Sequence, residues 1–333
     1  MNKAIVITSI SPPTKAVEQF EKIQGWQLII VADEKTPPEW YYDNVVFLSL
    51  RDQQTSGGYL FDVLPLNHYC RKMIGYIEAI RSGANTIVDS DDDNIPKANW
   101  SIPPFTGFYQ IASNKGFTNI YKLFTNDPIW PRGFPLKQIY TAIEPSTSEL
   151  VKKDVSIGIW QGLADGDPDV DAIYRLTNNK PCFFNDREPV VLASKVVCPF
   201  NSQNTAFCRE AFPLLYLPAT VTFRFTDILR GYVAQPILWT LGLHLGFTGA
   251  TVVQERNKHD YLQDFKSEIP CYLYPEKIID TIAPIVHSRY SVEDNLYESY
   301  RALLGAGIVQ AAEMIILEAW LKDIAGLQKR PYI

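Results

Sequence analysis

Three short runs rich in β-branched residues, at positions 4–10, 26–32 and 45–50, constrain this 333-residue chain more than any other feature, because an amphipathic helix separates the first two. The spacing predicts that helix after Ser11-Pro-Pro-Thr14, with Thr14 as cap, Val17, Phe20 and Ile23 as its apolar face, and Gly25 as its stop. A strand that returns to its own sheet through a helix returns parallel, so the first fifty residues read as βαβ followed by β in a parallel sheet. Ligands of such sheets bind beyond the carboxyl ends of the strands. Thr8 and Ser9 end the first strand, while Asp33 and Lys35 follow the second. Together they suit the base and ribose of a nucleotide, or else form a polar connection that caps a turn.

The same logic applies to Asn85-Thr-Ile-Val-Asp-Ser-Asp-Asp-Asp-Asn94. Ile87 and Val88 read as the end of a buried strand, which gathers Asp89, Asp91, Asp92 and Asp93 at its carboxyl end. Crowded carboxylates repel one another, a divalent cation relieves that repulsion, and oxygen ligands suit Mg²⁺ or Mn²⁺ better than zinc. The alternative is a solvated acidic turn. A helix over 67–83, with Tyr69, Met73, Ile77 and Ile80 on one face, leads into this strand. Arg71 and Lys72 lie off that face in its first two turns, where the helix dipole disfavours cations. An anionic partner such as a diphosphate explains them, and so does ordinary solvated charge.

Later segments add candidates. Residues 121–135 hold Pro128, Pro131 and Pro135, which forbid regular helix, beside Trp130, Phe134 and Arg132. This is a rigid loop with aromatic platforms and a guanidinium suited to sugar and phosphate, or a packed structural loop. Asp165, Asp167, Asp169 and Asp171 alternate after a strand at 157–162, but Pro168 and a misplaced glycine break any calcium-loop pattern, so they read as a loop beside the first acids. Residues 172–176 and 190–197 read as extended. Asp227 stands at a helix entrance, as N-cap or as a general base held near a cleft. A strand ending near 254 leads to His259, and 275–327 reads as mostly helix.

The net charge of −6 argues against a nucleic-acid partner, which a basic stripe would mark. Five cysteines without a CxxC pair support neither a disulfide framework nor a zinc knuckle, so a reducing, cytoplasmic setting is expected. The apolar stretches at 232–247 and 308–320 are interrupted by polar residues and read as buried helices, not membrane spans. Four histidines without a paired His/Asp motif weigh against a metal-dependent phosphohydrolase.

Taken in order, Arg71-Lys72 with Gly75-Tyr76, Asp91-Asp-Asp-Asn94, Asn126-Asp-Pro-Ile-Trp-Pro-Arg-Gly-Phe-Pro135, Asp169-Val-Asp-Ala-Ile-Tyr-Arg-Leu176 and Arg256-Asn-Lys-His259 resemble the STELLO family of glycosyltransferases. More distantly, the order is similar to reversibly glycosylated polypeptides, the UDP-arabinopyranose mutases. The resemblance implies a GT-A fold, an α/β Rossmann-like arrangement with a mostly parallel central sheet. Residues 1–270 would form the nucleotide-sugar and catalytic domain, with 271–333 a helical extension packed on the same unit. It further implies a nucleotide diphosphate sugar donor, foremost a UDP-sugar, a glycan or other hydroxyl acceptor, and a DxD-type site for Mn²⁺ or Mg²⁺. On that reading Asp91 contacts the ribose and metal region, Asp93 ligates the cation, and His259 is a late metal or phosphate ligand. Asp89 and Asp92 compete, since Asp89-Ser-Asp91 also satisfies DxD. The expected chemistry is inverting transfer with Asp227 as base and Lys72 or Arg132 adding positive charge. A mutase acting through Arg132 is one alternative and a non-catalytic GT-A scaffold or glycan-binding module another. Plant members carry a membrane anchor ahead of this region, whereas here the chain opens at its first strand, so a soluble form is expected.

Overall fold

The computed structural model describes residues 3–56, 58–141, 145–255 and 260–328. Its strands are β1 (Lys3–Ser9), β2 (Gln27–Ala32), β3 (Val45–Leu48), β4 (Thr86–Ser90), β5 (Asn94–Pro96), β6 (Thr106–Ala112), β7 (Gly116–Phe117), β8 (Val151–Gly166), β9 (Val190–Leu192), β10 (Val196–Val197), β11 (Asn204–Cys208) and β12 (Leu243–Gln254). The helices are α1 (Lys15–Glu21), α2 (Leu50–Thr55), α3 (Tyr59–Val63), α4 (Lys72–Arg81), α5 (Ala172–Thr177), α6 (Thr226–Thr240), α7 (Tyr261–Leu273), α8 (Pro275–Ile282), α9 (Val292–Gly305) and α10 (Ala312–Gln328).

The opening βαβ is present as read. Thr14 caps α1 by accepting from the Val17 N–H, and β1 pairs in parallel with both β2 and β4, while β3 joins β2 in parallel. These strands are buried on both sides, as parallel strands are: Ile5, Ile7, Leu28 and Ile30 pack with α1, and Ala4, Val6, Ile29 and Val31 face α4. Gly75 permits that close seat, since a Cβ there would lie 2.5 Å from Val6 Cγ1 and 2.6 Å from Val31 Cγ2.

Beyond β4 the sheet departs from the mostly parallel expectation. One ten-stranded sheet runs β3-β2-β1-β4-β11-β8-β6-β9-β12-β5, in which β11 is antiparallel to β4 and β8, β6 to β8, and β12 to β9 and β5. The long β8 and β12 pair in parallel, through register shifts. The architecture is therefore a mixed α/β fold with a large central sheet, compatible with a GT-A-like glycosyltransferase. Alternation of apolar residues reports burial, not strand direction, which is why the antiparallel half was not legible. Residues 172–176, read as extended, form α5 because Asp171 caps it by accepting from the Tyr174 N–H. The stretch 232–247, read as helix, splits into the end of α6 and the start of β12, with Gly242 at φ 68° between them.

The carboxyl-terminal helices close over the α6 side of the sheet. Glu313 of α10, fully buried, accepts from Tyr216 Oη, the Ala219 and Thr220 N–H groups and Thr220 Oγ1, and Trp320 Nε1 donates to the Pro213 carbonyl. No helix among the described residues is long and apolar enough to cross a membrane. All five cysteines are buried and free.

Candidate active site

Because β1, β2 and β4 are parallel, their carboxyl ends meet at one edge, where a cleft of about 300 Å³ opens. From that side it is lined by Thr8, Asp33, Lys72 and the Asp91-Asp92-Asp93 turn. The facing wall is built by Arg132, Asp169, the 201–203 segment, Phe223, Arg224, Asp227 and Gln254, with Asn67, His68 and Tyr69 between the two.

The floor is a closed set of charges. Asp89 is completely buried and holds Lys72 Nζ at 2.9 Å and Arg230 Nη1 at 2.6 Å. Burial alone would raise its pKa, but those two cations hold it below the ordinary carboxylate range. Lys72 spends its remaining N–H bonds on the Ser90 carbonyl and Asp91 Oδ1, both at 2.7 Å, and its ammonium is kept above the usual range against the opposing effect of burial. Asp91 is thus the acid at the boundary between the floor and the cleft. Burial, with Asp93 and Asp89 beside it, pushes its pKa up to about 7 despite Lys72. Asp92 turns away, accepting from Ser9 Oγ at 2.5 Å, while Thr14 Oγ1 donates to its carbonyl. Asp93 accepts from Gln254 Nε2 at 3.0 Å.

A second ion-pair system forms the facing wall. Arg132 donates Nε and Nη2 to the two oxygens of Asp169 at 2.8 and 2.7 Å, Nη1 and Nη2 to Asp227 at 3.1 and 2.8 Å, and Nη1 to the Arg224 carbonyl. Gly133, at φ 90°, makes this possible: a Cβ there would lie 2.5 Å from Ile228 Cγ2 of α6. Asp169 also accepts from Asn201 Nδ2, and Asp227 from the Ser202 N–H. Arg224 extends the system to Glu268 of α7 at 2.6 Å, and Glu268 caps the first N–H of α5 at Ala172.

Nine of the residues singled out from sequence line one cleft: Thr8, Asp33, Lys72, Asp91, Asp92, Asp93, Arg132, Asp169 and Asp227. Others lie behind it. Ser9 is buried on Asp92, Asp89 is sealed beneath Lys72, and Arg71 is buried against Gln53 Oε1 and the Leu64 carbonyl, so neither solvation nor a phosphate explains its charge. Lys35 is exposed and off the cleft. His259, with Arg256, Asn257 and Lys258, lies outside the described residues. Asp33 accepts from the N–H groups of Glu34, Asn67 and His68 and so shapes the loop that carries the aromatic wall. Asp227 does not cap α6 but faces Arg132, and the platforms expected at Trp130 and Phe134 are spent: Phe134 is buried, and Trp130 Nε1 donates to Asp171. Sequence reading assigned no site role to Arg230, Phe223 or the 201–203 segment, and it took Tyr69 for part of a helix's apolar face, whereas Tyr69 lines the cleft. A usable signal was Asp227 and Arg230, two charges three apart inside an otherwise apolar helix, since such groups share a face and require partners.

Among the described residues no three His, Cys, Asp or Glu side chains converge so as to hold a metal ion. The oxygen donors of Asp91 and Asp93 nevertheless fit the way Mg²⁺ is bound in phosphate chemistry, by one or two carboxylates with the substrate's phosphates completing the shell. Burial is the main cause of the raised Asp91 pKa, and the repulsion from Asp93 and Asp89 that adds to it is what such an ion would relieve.

Residues 224–330, which include Arg224, Asp227, Arg230 and Gln254 of this site, match the family model described as STELLO glycosyltransferases. Two Arabidopsis thaliana proteins, probable glycosyltransferases STELLO1 and STELLO2, are each 28% identical over 344 residues, covering 97% of this chain and 44% of theirs. The chain is thus similar to the STELLO glycosyltransferases over almost its whole length. It spans less than half the length of these curated relatives. The segment matched by the STELLO model lies on one wall of the cleft and the acidic strand end on the other, so the likeness over almost the whole chain spans both walls of one site.

Proposed function

We propose that this chain transfers a sugar from a nucleoside diphosphate sugar to a hydroxyl acceptor, with inversion at the anomeric carbon. The observation that carries the reading is the convergence of the Asp91–Asp93 turn and the Asp227 wall on one cleft at the carboxyl ends of parallel strands, in a chain similar to the STELLO glycosyltransferases. Thr8 and the Asp33 loop stand at the nucleoside end. Asp91 and Asp93 would hold Mg²⁺ or Mn²⁺, which supplies positive charge to the leaving diphosphate. Lys72 fixes Asp91 and Gln254 fixes Asp93, each by donating to a carboxylate oxygen.

Asp227 takes the proton of the acceptor hydroxyl while the acceptor oxygen bonds to the anomeric carbon and the bond to the diphosphate breaks. A carboxylate has about four acceptor positions. Arg132 and the Ser202 N–H occupy three on Asp227, which fixes its orientation and leaves one for the acceptor. The same saturation argues against a mutase that carries its sugar on Arg132, because each N–H of that guanidinium is already turned toward protein oxygen. The test is calorimetry of UDP, GDP, ADP and CMP with and without Mn²⁺, followed by transfer assays with the matching nucleotide sugars. Metal-dependent nucleotide binding, and a turnover loss of about 10²–10⁴-fold in Asp227→Asn with nucleotide affinity retained, are expected. No binding by any nucleotide in the presence of Mn²⁺ would sink the proposal.

A further inference from the structure

The cleft changes character from floor to mouth. Its floor and sides are charged and internally paired, whereas one side of the mouth is aromatic. Phe223, 54% exposed, stands edge-on to Tyr69 with centroids 4.8 Å apart and to His68 at 5.8 Å, and His68 lies nearly parallel to Tyr69 at 5.9 Å. All three line the cleft. Phe223 packs by its edge on Tyr69 and His68 yet leaves half its surface to water on a rim four residues before Asp227, free to meet a ligand. The Tyr69 hydroxyl is buried and has no hydrogen-bond partner among the described residues, although it belongs to the same wall. An unpaired buried hydroxyl beside an exposed ring is the pattern of a ligand with an apolar face and a polar edge, and a pyranose has both.

From this we infer that the acceptor is a saccharide, received with the C–H face of one ring against Phe223 and with a ring hydroxyl bonded to Tyr69 Oη. The inference rests on the transferase reading and adds the acceptor class to it. Occupancy by the acceptor and not the nucleoside follows from position. The donor's diphosphate is assigned to the Asp91–Asp93 turn through the cation those acids would hold, and Phe223 stands on the facing wall, four residues before the Asp227 carboxylate that receives the acceptor's proton. His68, whose Nδ1 accepts from the Cys70 N–H, continues the wall beside Tyr69.

The experiment uses the full chain with Mn²⁺ and the nucleotide that binds best. The methyl glycosides of glucose, galactose, mannose and xylose are added, with glycerol as a hydroxyl control that lacks a ring face. Saturation-transfer NMR should show at least one glycoside binding, with the protons of one ring face most strongly saturated, and no signal for glycerol. Phe223→Ala should weaken that glycoside about 10-fold, Phe223→Trp should restore it, and Tyr69→Phe should weaken it about 3- to 10-fold, all with nucleotide affinity within 2-fold of the parent. Phe223 is exposed, so its replacement does not threaten folding. If none of the four glycosides binds, or if Phe223→Ala lowers nucleotide affinity as much as glycoside affinity, the wall is not an acceptor platform. Failure of the nucleotide to bind in the first step is the separate failure of the transferase reading, and glycoside binding without it would leave a saccharide site standing alone.

Discussion

Removal of the Arg132 guanidinium tests the charge wall most directly. Arg132, Asp169 and Asp227 have side chains only 5, 6 and 7% exposed, so solvent does little to screen them. Arg132→Met keeps the volume of the stem but leaves two buried carboxylates sharing a wall without their cation. Breaking a buried pair by deleting one partner costs about 3–5 kcal/mol, because the remaining charge is uncompensated. With an unfolding entropy of about 2.1 cal/mol/K per residue, 333 residues give roughly 0.7 kcal/mol/K, so the loss corresponds to a fall in melting temperature of about 4–7 °C. Differential scanning calorimetry of Arg132→Met against the parent measures it. The decisive arm is the triple variant Arg132→Met/Asp169→Asn/Asp227→Asn, which removes the stranded charges. It should recover most of the lost stability, since neutral replacements of a whole buried ionic group are often tolerated. A fall below about 2 °C in the single variant, or a triple variant less stable than the single, would refute the account of Arg132 as the shared counter-ion of two buried acids. Arg132→Lys should behave closer to Met than to the parent, because an ammonium cannot serve both carboxylates in the forked geometry.

Lys72→Met should destabilise the protein by about 3 kcal/mol and abolish metal-dependent nucleotide binding, since it takes from buried Asp89 one of its two cations, leaving Arg230, and releases Asp91; urea titration and calorimetry would read the two effects, and an unchanged midpoint would contradict the assigned pairing. Asp171, whose pKa burial raises to about 6, holds its proton more tightly folded than unfolded. Its contribution is therefore full below about pH 3 and is lost as pH climbs through 6, so the parent should lose about 2 kcal/mol relative to Asp171→Asn between pH 4 and 7. Asn caps a helix as well as Asp, so a pH-independent difference between the two proteins would count against this. Glu313→Ala leaves the Ala219 and Thr220 N–H groups and Tyr216 Oη without their acceptor, and should cost on the order of 3 kcal/mol while speeding hydrogen exchange in α10; exchange at the parental rate would show that α10 is held by its apolar face alone.

What the sequence determined by itself was whatever rests on neighbours in the chain. The β1-α1-β2 opening follows from alternation, the Thr14 cap and Gly25, and the place of Asp89 to Asp93 follows from a strand that runs out of apolar residues. The order of segments was enough to suggest a family that the comparisons bear out. Tertiary structure decided the rest. Lys72 and Arg132 look in the sequence like free cations awaiting phosphate, but their partners stand 17 and 19 residues away in one case and 37 and 95 in the other. No local period announces such pairs, because a charge finds its counter-ion through space and only burial makes the pairing obligatory. The antiparallel half of the sheet escaped for the same reason, as β11 reaches β4 from more than a hundred residues downstream. Phe223 was unremarkable in a chain that is 13% aromatic until the fold left it half exposed above the Asp227 carboxylate's wall, and that exposure, a property of the surface and not of the residue, makes it the acceptor's candidate platform.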